Sequence, residues 1–525
     1  MRLSYLPPLM VYLAYGISGL TGIVGTFFVK DYLGLSASFL AALGFWAGIP
    51  WALKMPIGHM VDLLWRWKGW LIGMGACLLA ASLGIMAALI GQRDAMTAIL
   101  PAEVWFVIST LLAPLGYVIQ DAVADAMTVE AVPRVNERGV SFSEAERKSM
   151  HTTMQTLGRV AIVGGGILVA LVNVSIFSGT EGLPQAELVK IYQQVYLLAL
   201  IIPFLSVLGL VVAGVIRRRH REQLIRQGFP AEQAAQMVEV REQTEEATKP
   251  NWWILAGSLL FVLFTVTVGV SGVPYREEIV FSGSMGIVLF LMGKLVKELE
   301  ADKKQTLVGT AVVIFVFRAI PSTGPSTTWW MIDHLGFDQQ FLSELSLISN
   351  TLGLAGLFIF RRFMAERSIA YVVGFLTIVG AVLSLPIVSM YYGLHEWTAR
   401  LTGGIVDARF IAIIDTALES PLGQISMIPM LTWIANSAPA NLKATFFAVM
   451  ASFTNLALSL SQLGTKYLNE IFIVTREVRD PATGLIQVPA DYSQLGHLLI
   501  TQLLLGLALP LGAILFAQVS RFRSA

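Results

Sequence analysis

Charge is scarce in this chain. Aspartate, glutamate, lysine and arginine make up 14% of its 525 residues, where soluble domains average about a quarter. Hydrophobic residues reach 55%. That balance excludes an ordinary soluble domain and implies a polytopic membrane protein. Cysteine is almost missing: Cys77 stands alone in an apolar run, which rules out an intrachain disulfide and a cysteine metal cluster. The six histidines are scattered, and no HExxH, P-loop or Rossmann glycine pattern occurs. Nothing here builds a catalytic constellation, a metal centre or a cofactor site, so the chain reads as no enzyme and as needing no cofactor. After Arg2, Pro7 and Pro8 comes an apolar run without a small-residue cleavage site, as expected of a retained first span rather than a signal peptide.

What is there is a series of long apolar windows. About 20 apolar residues cross a bilayer core. That length predicts spans at 9–29, 37–59, 70–91, 103–122, 152–176 and 191–216, then 252–271 and 279–296. Six more follow at 306–330, 341–360, 369–392, 404–435, 444–468 and 495–519. The expected fold is therefore all-α, with about 14 spans. It divides into a bundle over 1–216, a linker over 217–251, an extra hairpin over 252–304 and a second bundle over 305–525. The hairpin's second member is short and interrupted by Ser282-Gly283-Ser284. Six helices on each side of a linker is the plan of the major facilitator superfamily.

Lysine and arginine set the orientation. With the N-terminus inside, 23 of them fall in inner loops or termini and seven in outer loops. Both termini and the linker are expected in the cytoplasm, in a bacterial inner membrane. Arg217-Arg218-Arg219-His220-Arg221 opens the linker where juxtamembrane positive charge belongs, which argues for a solvated linker between two bundles in a protein whose partner is the lipid bilayer, and against a nucleic-acid site. Nothing suggests assembly beyond a monomer.

Six basic residues remain at membrane depth: Lys54, Arg159, Lys294, Arg318, Arg409 and Lys466. Lys294 and Lys466 are near span ends and are expected to snorkel. The deep acids are Asp121, Asp125, Asp407, Asp415 and Glu419. Asp121 and Asp125 are one helical turn apart and share a face. Like charges so close do not both ionise easily, which suits proton coupling. Lys54 and Arg159 lie roughly 7 and 10 Å from the inner ends of their spans, so these four form one expected charge network. Arg318 is about 18 Å from the inner end of its span, with Arg409 at similar depth and Asp415 near the midplane. Such charges either pair helices together or serve a pathway. Tyr12, Tyr15, Phe27 and Phe28 could offer aromatic faces, with core packing the alternative. Trp329 and Trp330 are expected at the outer interface.

Four stretches carry a family resemblance. Trp51-Ala52-Leu53-Lys54-Met55-Pro56-Ile57-Gly58 leads to Asp62. Asp121-Ala122-Val123-Ala124-Asp125 leads to Glu130. Pro325 leads through His334, Gly336 and Phe337 to Phe341 and Leu342, following Arg318. Asp407-Ala408-Arg409-Phe410 leads through Asp415, Met427, Pro429, Pro439, Ala444, Thr445 and Asn455 to Gly464. Together they resemble the folate–biopterin transporter family of the major facilitator superfamily, as a divergent bacterial-type member. The proline in Lys54-Met55-Pro56 is displaced by one position, and Lys443 stands where the family often has Glu.

The resemblance implies a proton-coupled symporter of folate or pterin anions, working by alternating access. Asp62, Arg66 and Lys68 resemble the loop after the second helix, where an acid and bases latch the cytoplasmic gate; Asp62 and Arg66 are the gate candidates. The resemblance puts Asp121, Asp125, Arg318, Asp407, Arg409 and Asp415 on cavity-lining helices. A folate presents a flat pterin with an N–H edge and a tail with two carboxylates. Arg318 and Arg409 suit the anion, because a guanidinium grips a carboxylate with two parallel bonds. Asp415, with Asp407 nearby, suits the donor edge. A transporter of another amphipathic organic anion, or a non-transporting pigment-delivery factor of the superfamily, remain the alternatives.

Overall fold

A computed structural model describes residues 3–52, 54–64, 67–132, 142–238, 252–296, 301–360, 363, 366–423, 443–479 and 485–520. Among them, eight helices are long and apolar enough to cross a membrane. They are Leu3–Tyr32, Lys68–Gly91, Ala102–Thr128, Thr156–Phe177, Gln185–Arg226, Gln339–Ile359, Ile369–Tyr391 and Leu495–Val519. The chain is a multi-pass membrane protein. Ala37–Ala52 and Leu255–Val270 are apolar but shorter. The first span tightens to a 3-10 turn at Ile17–Thr21, where Ser18, Gly19 and Thr21 supply weak helix formers. By packing, the chain forms two compact units.

The first unit comprises Met1–Thr21, Pro56–Val169 and Pro184–Ser258. Lys68–Gly91 packs on Ala102–Ala131 with the backbones nearly touching. A Cβ on Gly75 would come 2.8 Å from the Gly116 carbonyl oxygen, so only glycine fits. Farther along the same crossing, Ser82 and Ser109 each donate to the other's carbonyl, at 2.8 and 3.0 Å. Small residues bring the helices close, and paired hydroxyls then satisfy one another away from water. Gly16 and Gly165 make a similar crossing between the first span and Glu144–Phe177.

The second unit comprises Gly22–Met55, Ala170–Leu183 and Leu259–Ala525. Its central crossing joins Ala37–Ala52 to Lys443–Ile471. Gly44 faces Gln462, Gly48 faces Ser459, and Asn455 donates to the Trp51 carbonyl at 2.9 Å. The window expected as one span at 306–330 is broken: Ala301–Arg318 ends before Ile320-Pro321, and a new helix runs Ser326–Leu335. Pro321 and Pro325 lack amide donors, and Gly324 adopts φ +64°. Open backbone at membrane depth needs partners from protein. Ser461, Thr465 and Asn469, spaced one turn apart on the neighbouring helix, provide them. Ser461 donates to Ile320 O, Thr465 Oγ1 accepts from Ser322 N–H, and Asn469 donates to Thr323 O and accepts from Ser326 Oγ.

In the stretch expected as an extra hairpin there are two helices, Trp252–Val270 and Arg276–Val296. Ser282-Gly283-Ser284 does not interrupt the second. Gly283 leaves room for the Phe264 ring of the first helix, and Ser284 bonds back to the Val280 carbonyl at 2.6 Å. Lys466, expected to snorkel, has acidic partners. It pairs with Glu277 at 3.4 Å and Glu278 at 3.7 Å at the start of the second helix, tying that helix to Lys443–Ile471. The Lys294 side chain lies outside the described residues, as do Met427, Pro429 and Pro439 of the fourth sequence stretch.

Candidate functional site

The first charged constellation is built on Ala102–Ala131. Tyr117, Asp121, Asp125 and Thr128 recur at helical spacing, so they form one stripe. The stripe faces the first span. Tyr12, buried, donates its hydroxyl to Asp125 Oδ1 at 2.6 Å, and Thr128 Oγ1 bonds back to the Asp125 carbonyl at 2.6 Å. Gly158 lies under the Tyr12 ring: a Cβ there would come 2.9 Å from Cε2. The ring is thus wedged against Glu144–Phe177, which fixes where its hydroxyl points. Arg159, the next residue on that helix, and Asp121 lie within electrostatic range of the same phenol.

Beside this bond is a small recess, with room for about one water molecule, lined by Val11, Tyr12, Tyr15, Tyr117, Gln120 and Asp121. Tyr15 meets Tyr117 edge to face, with centroids 5.6 Å apart. Gln120 is held away from chemistry: it accepts from Ser206 Oγ at 3.0 Å and donates to Ile72 O at 3.4 Å. A carboxylate at the rim and a second one hydrogen-bonded to a buried phenol are groups that can exchange protons.

Asp121, Asp125 and Arg159 therefore meet around Tyr12. Lys54 begins the helix Lys54–Leu63. Tyr117 was not among the aromatics singled out from the sequence, although its position one turn before Asp121 was a usable signal. Phe27 and Phe28 are core residues, and Phe28 stacks on Tyr32 at 5.2 Å. Of the gate candidates, Asp62 is in Lys54–Leu63, with its side chain outside the described residues, as is all of Arg66.

In the second unit, Arg318 closes Ala301–Arg318 just before the broken stretch. Asp407 caps Ala408–Glu419, accepting from Phe410 N–H at 2.8 Å. Arg409 donates to Gly336 O at 3.3 Å and lies over the Phe341 ring at 5.2 Å. Asp415 and Glu419 share a face one turn apart. Asp415 Oδ1 is buried and has no hydrogen-bond partner among the described residues. A buried, unpartnered carboxylate oxygen is costly and awaits a donor. Trp329 and Trp330 are not interface anchors: both are buried, at 1% and 5% exposure, in one apolar cluster with Phe337, Phe341 and Leu495.

The BT1 family pattern matches residues 15–522, nearly the whole chain. The chain belongs to the BT1 family. A folate-biopterin transporter of Synechocystis sp. is 23% identical over 465 residues, covering 86% of this chain and 72% of the relative. A putative folate transporter 2 of Plasmodium berghei is 26% identical over 167 residues, covering 31% of this chain and 34% of that one. Among solved structures, a mutant of the nucleoside transporter NupG aligns with a TM-score of 0.56 at 12% identity, over 98% of this chain and 99% of its own. A POT family transporter in complex with 5-aminolevulinic acid aligns at 0.59 and 11% identity, over 98% and 95%. These likenesses show that the chain shares the fold of the NupG and POT family structures. The resemblance read from Asp121, Asp125, Arg409 and their neighbours is thereby borne out, and the BT1 chain is a transporter.

Proposed function

We propose that this BT1 protein carries folate- or pterin-type organic anions, coupled to protons, by alternating access. The names of its Synechocystis and Plasmodium relatives support the substrate class. The observation that carries the coupling is the 2.6 Å bond from Tyr12 to Asp125 beside the recess rimmed by Asp121. Asp121 takes the proton from water in the recess. Asp125 and Tyr12 share the negative charge, and Arg159 balances it. In the other unit, Arg318 and Arg409 hold the substrate anion, and Asp415 Oδ1, which has no hydrogen-bond partner among the described residues, accepts the pterin N–H edge. Asp407 contributes by fixing the start of the Arg409 helix.

The same reading keeps fourteen spans, in two six-helix bundles and a central hairpin, acting as a monomer in a bacterial inner membrane. Both termini are cytoplasmic, with the Asp62–Arg66 turn as the inner gate. The test is a thermal-shift and binding screen of purified protein against folate, biopterin and unrelated organic anions. Saturable stabilisation by folate or biopterin alone is expected; stabilisation only by unrelated anions would replace the substrate.

A further inference from the structure

The seven outer-loop cations read from the sequence include two that are not at the surface. Lys30 and Arg476 are 9% and 3% exposed. Arg476 sits in the connection between the last two long helices, held in a short antiparallel ladder. Thr475 and Asp491 exchange both backbone bonds at 3.0 and 2.9 Å on one side, and Val478 pairs with Val488 on the other. The guanidinium reaches from this ladder to the end of the first span. It donates to the carbonyls of Lys30 at 2.7 Å, Leu35 at 2.7 Å, Val29 at 2.9 Å, and Leu33. Those oxygens belong to the last turn of a helix and the loop after it, where the helix dipole favours a cation, and Val29 O also accepts from Leu33 N–H at 3.3 Å. The guanidinium Cζ lies 4.3 Å from the centroid of the Trp329 ring.

A second connection lies alongside. Lys30 Nζ is 2.5 Å from Asp333 Oδ1 and 3.5 Å from Asp31 Oδ1. Tyr492 donates to Asp333 Oδ2 at 2.5 Å. One cluster thus joins three segments far apart in the chain: the end of the first span, the helix Ser326–Leu335, and the final loop. Burial lowers the Arg476 guanidinium to about 10, with Asp31, Tyr492 and Asp333 opposing the shift, so it stays charged at neutral pH. A fixed cap would need only the arginine. The ion pair and the phenol add bonds that separate cleanly if Ser326–Leu335 moves away from the first span.

We propose that Arg476, Lys30, Asp333 and Tyr492 form an outer latch that holds the first span closed and must open once in each transport cycle. The latch rests on the orientation and transport reading proposed above, and part of its test needs neither substrate nor coupling. In full-length protein with Cys77→Ser, a cysteine replaces the fully buried Leu33, and its modification by a membrane-impermeant maleimide is timed from outside. Asp333→Asn and Arg476→Gln are each expected to raise the labelling rate at least ~10-fold, the factor that about 1.4 kcal/mol represents. Arg476→Lys, which keeps charge but loses the fork, should fall between. Labelling as slow in all three variants as in the parent, with melting temperatures unchanged, overturns the latch.

A second arm locks it. Lys30→Cys with Asp333→Cys, bridged by a short thiol crosslinker, should stop folate uptake in proteoliposomes and recover in the uncrosslinked control. Crosslinked protein transporting at the parent rate makes the cluster a static tie and overturns the proposal. A parent that moves no folate counts against the transport reading, and the labelling arm still decides the latch.

Discussion

Replacing Tyr12 with phenylalanine deletes one oxygen and keeps the ring wedged against Gly158. The oxygen lost is the donor 2.6 Å from Asp125 Oδ1. A hydrogen bond to a charged group contributes about 1.5–3 kcal/mol, equivalent to roughly ten- to a hundred-fold in an equilibrium or rate. Because the ring stays buried and no cavity forms, little of that loss should appear as unfolding. The missing donor instead withdraws support from the Asp125 carboxylate, so the step in which the relay gives up its proton slows. The assay compares two modes in proteoliposomes: folate accumulation driven by an imposed pH gradient, and folate exchange with no gradient. Tyr12→Phe should lower gradient-driven accumulation by about ten- to a hundred-fold and leave exchange nearly intact. Accumulation at the wild-type rate, or equal loss in both modes with a matching fall in melting temperature, would refute the relay.

Other consequences follow from the same geometry. Gly75→Ala puts a Cβ 2.8 Å from the Gly116 oxygen and should destabilise the first unit by about 1–3 kcal/mol, read as a lower melting temperature in detergent. Arg318→Lys and Asp415→Asn should each weaken folate binding about ten- to a hundred-fold in a titration while melting temperature holds; unchanged affinity would leave them as helix-pairing charges. With Cys77→Ser, a cysteine at Glu232 should resist labelling from outside intact cells, and efficient labelling would reverse the orientation.

The membrane class and the family were legible in the sequence because both rest on chemistry that position alone reveals. Scarce charge fixes the solvent, and Asp121 with Asp125 at one-turn spacing fixes a face. The break within 306–330 was not legible from hydropathy, since Ile320, Pro321 and Trp329 all read as apolar in a window average. Pro321, Gly324 and Pro325 were the visible warning. The compensating signal was the Ser461, Thr465 and Asn469 stripe, polar on one face of an apolar helix more than a hundred residues away.

Charges counted as loop or interface residues were the other blind spot. Arg476 is buried and Lys466 half-buried because a ring of carbonyls meets the one and Glu277 and Glu278 meet the other, and such partners become neighbours only through tertiary packing. Trp329 belongs to the same lesson: its ring serves the Arg476 cation and the core rather than the lipid boundary. In the candidate site, the carboxylates were named from sequence. Their partner Tyr12 was recognised only as an aromatic face, because nothing local shows where a phenol 113 residues away will point.

The central claim, proton-driven folate transport through the Asp121 and Asp125 relay, is tested most directly by Asp121→Asn in proteoliposomes. Wild-type protein should concentrate folate against its gradient when the pH gradient is imposed. The variant, with no proton to take up, should exchange folate across the membrane yet fail to concentrate it. Wild-type protein that never concentrates folate, or a variant that concentrates it as well as wild type, would contradict the account.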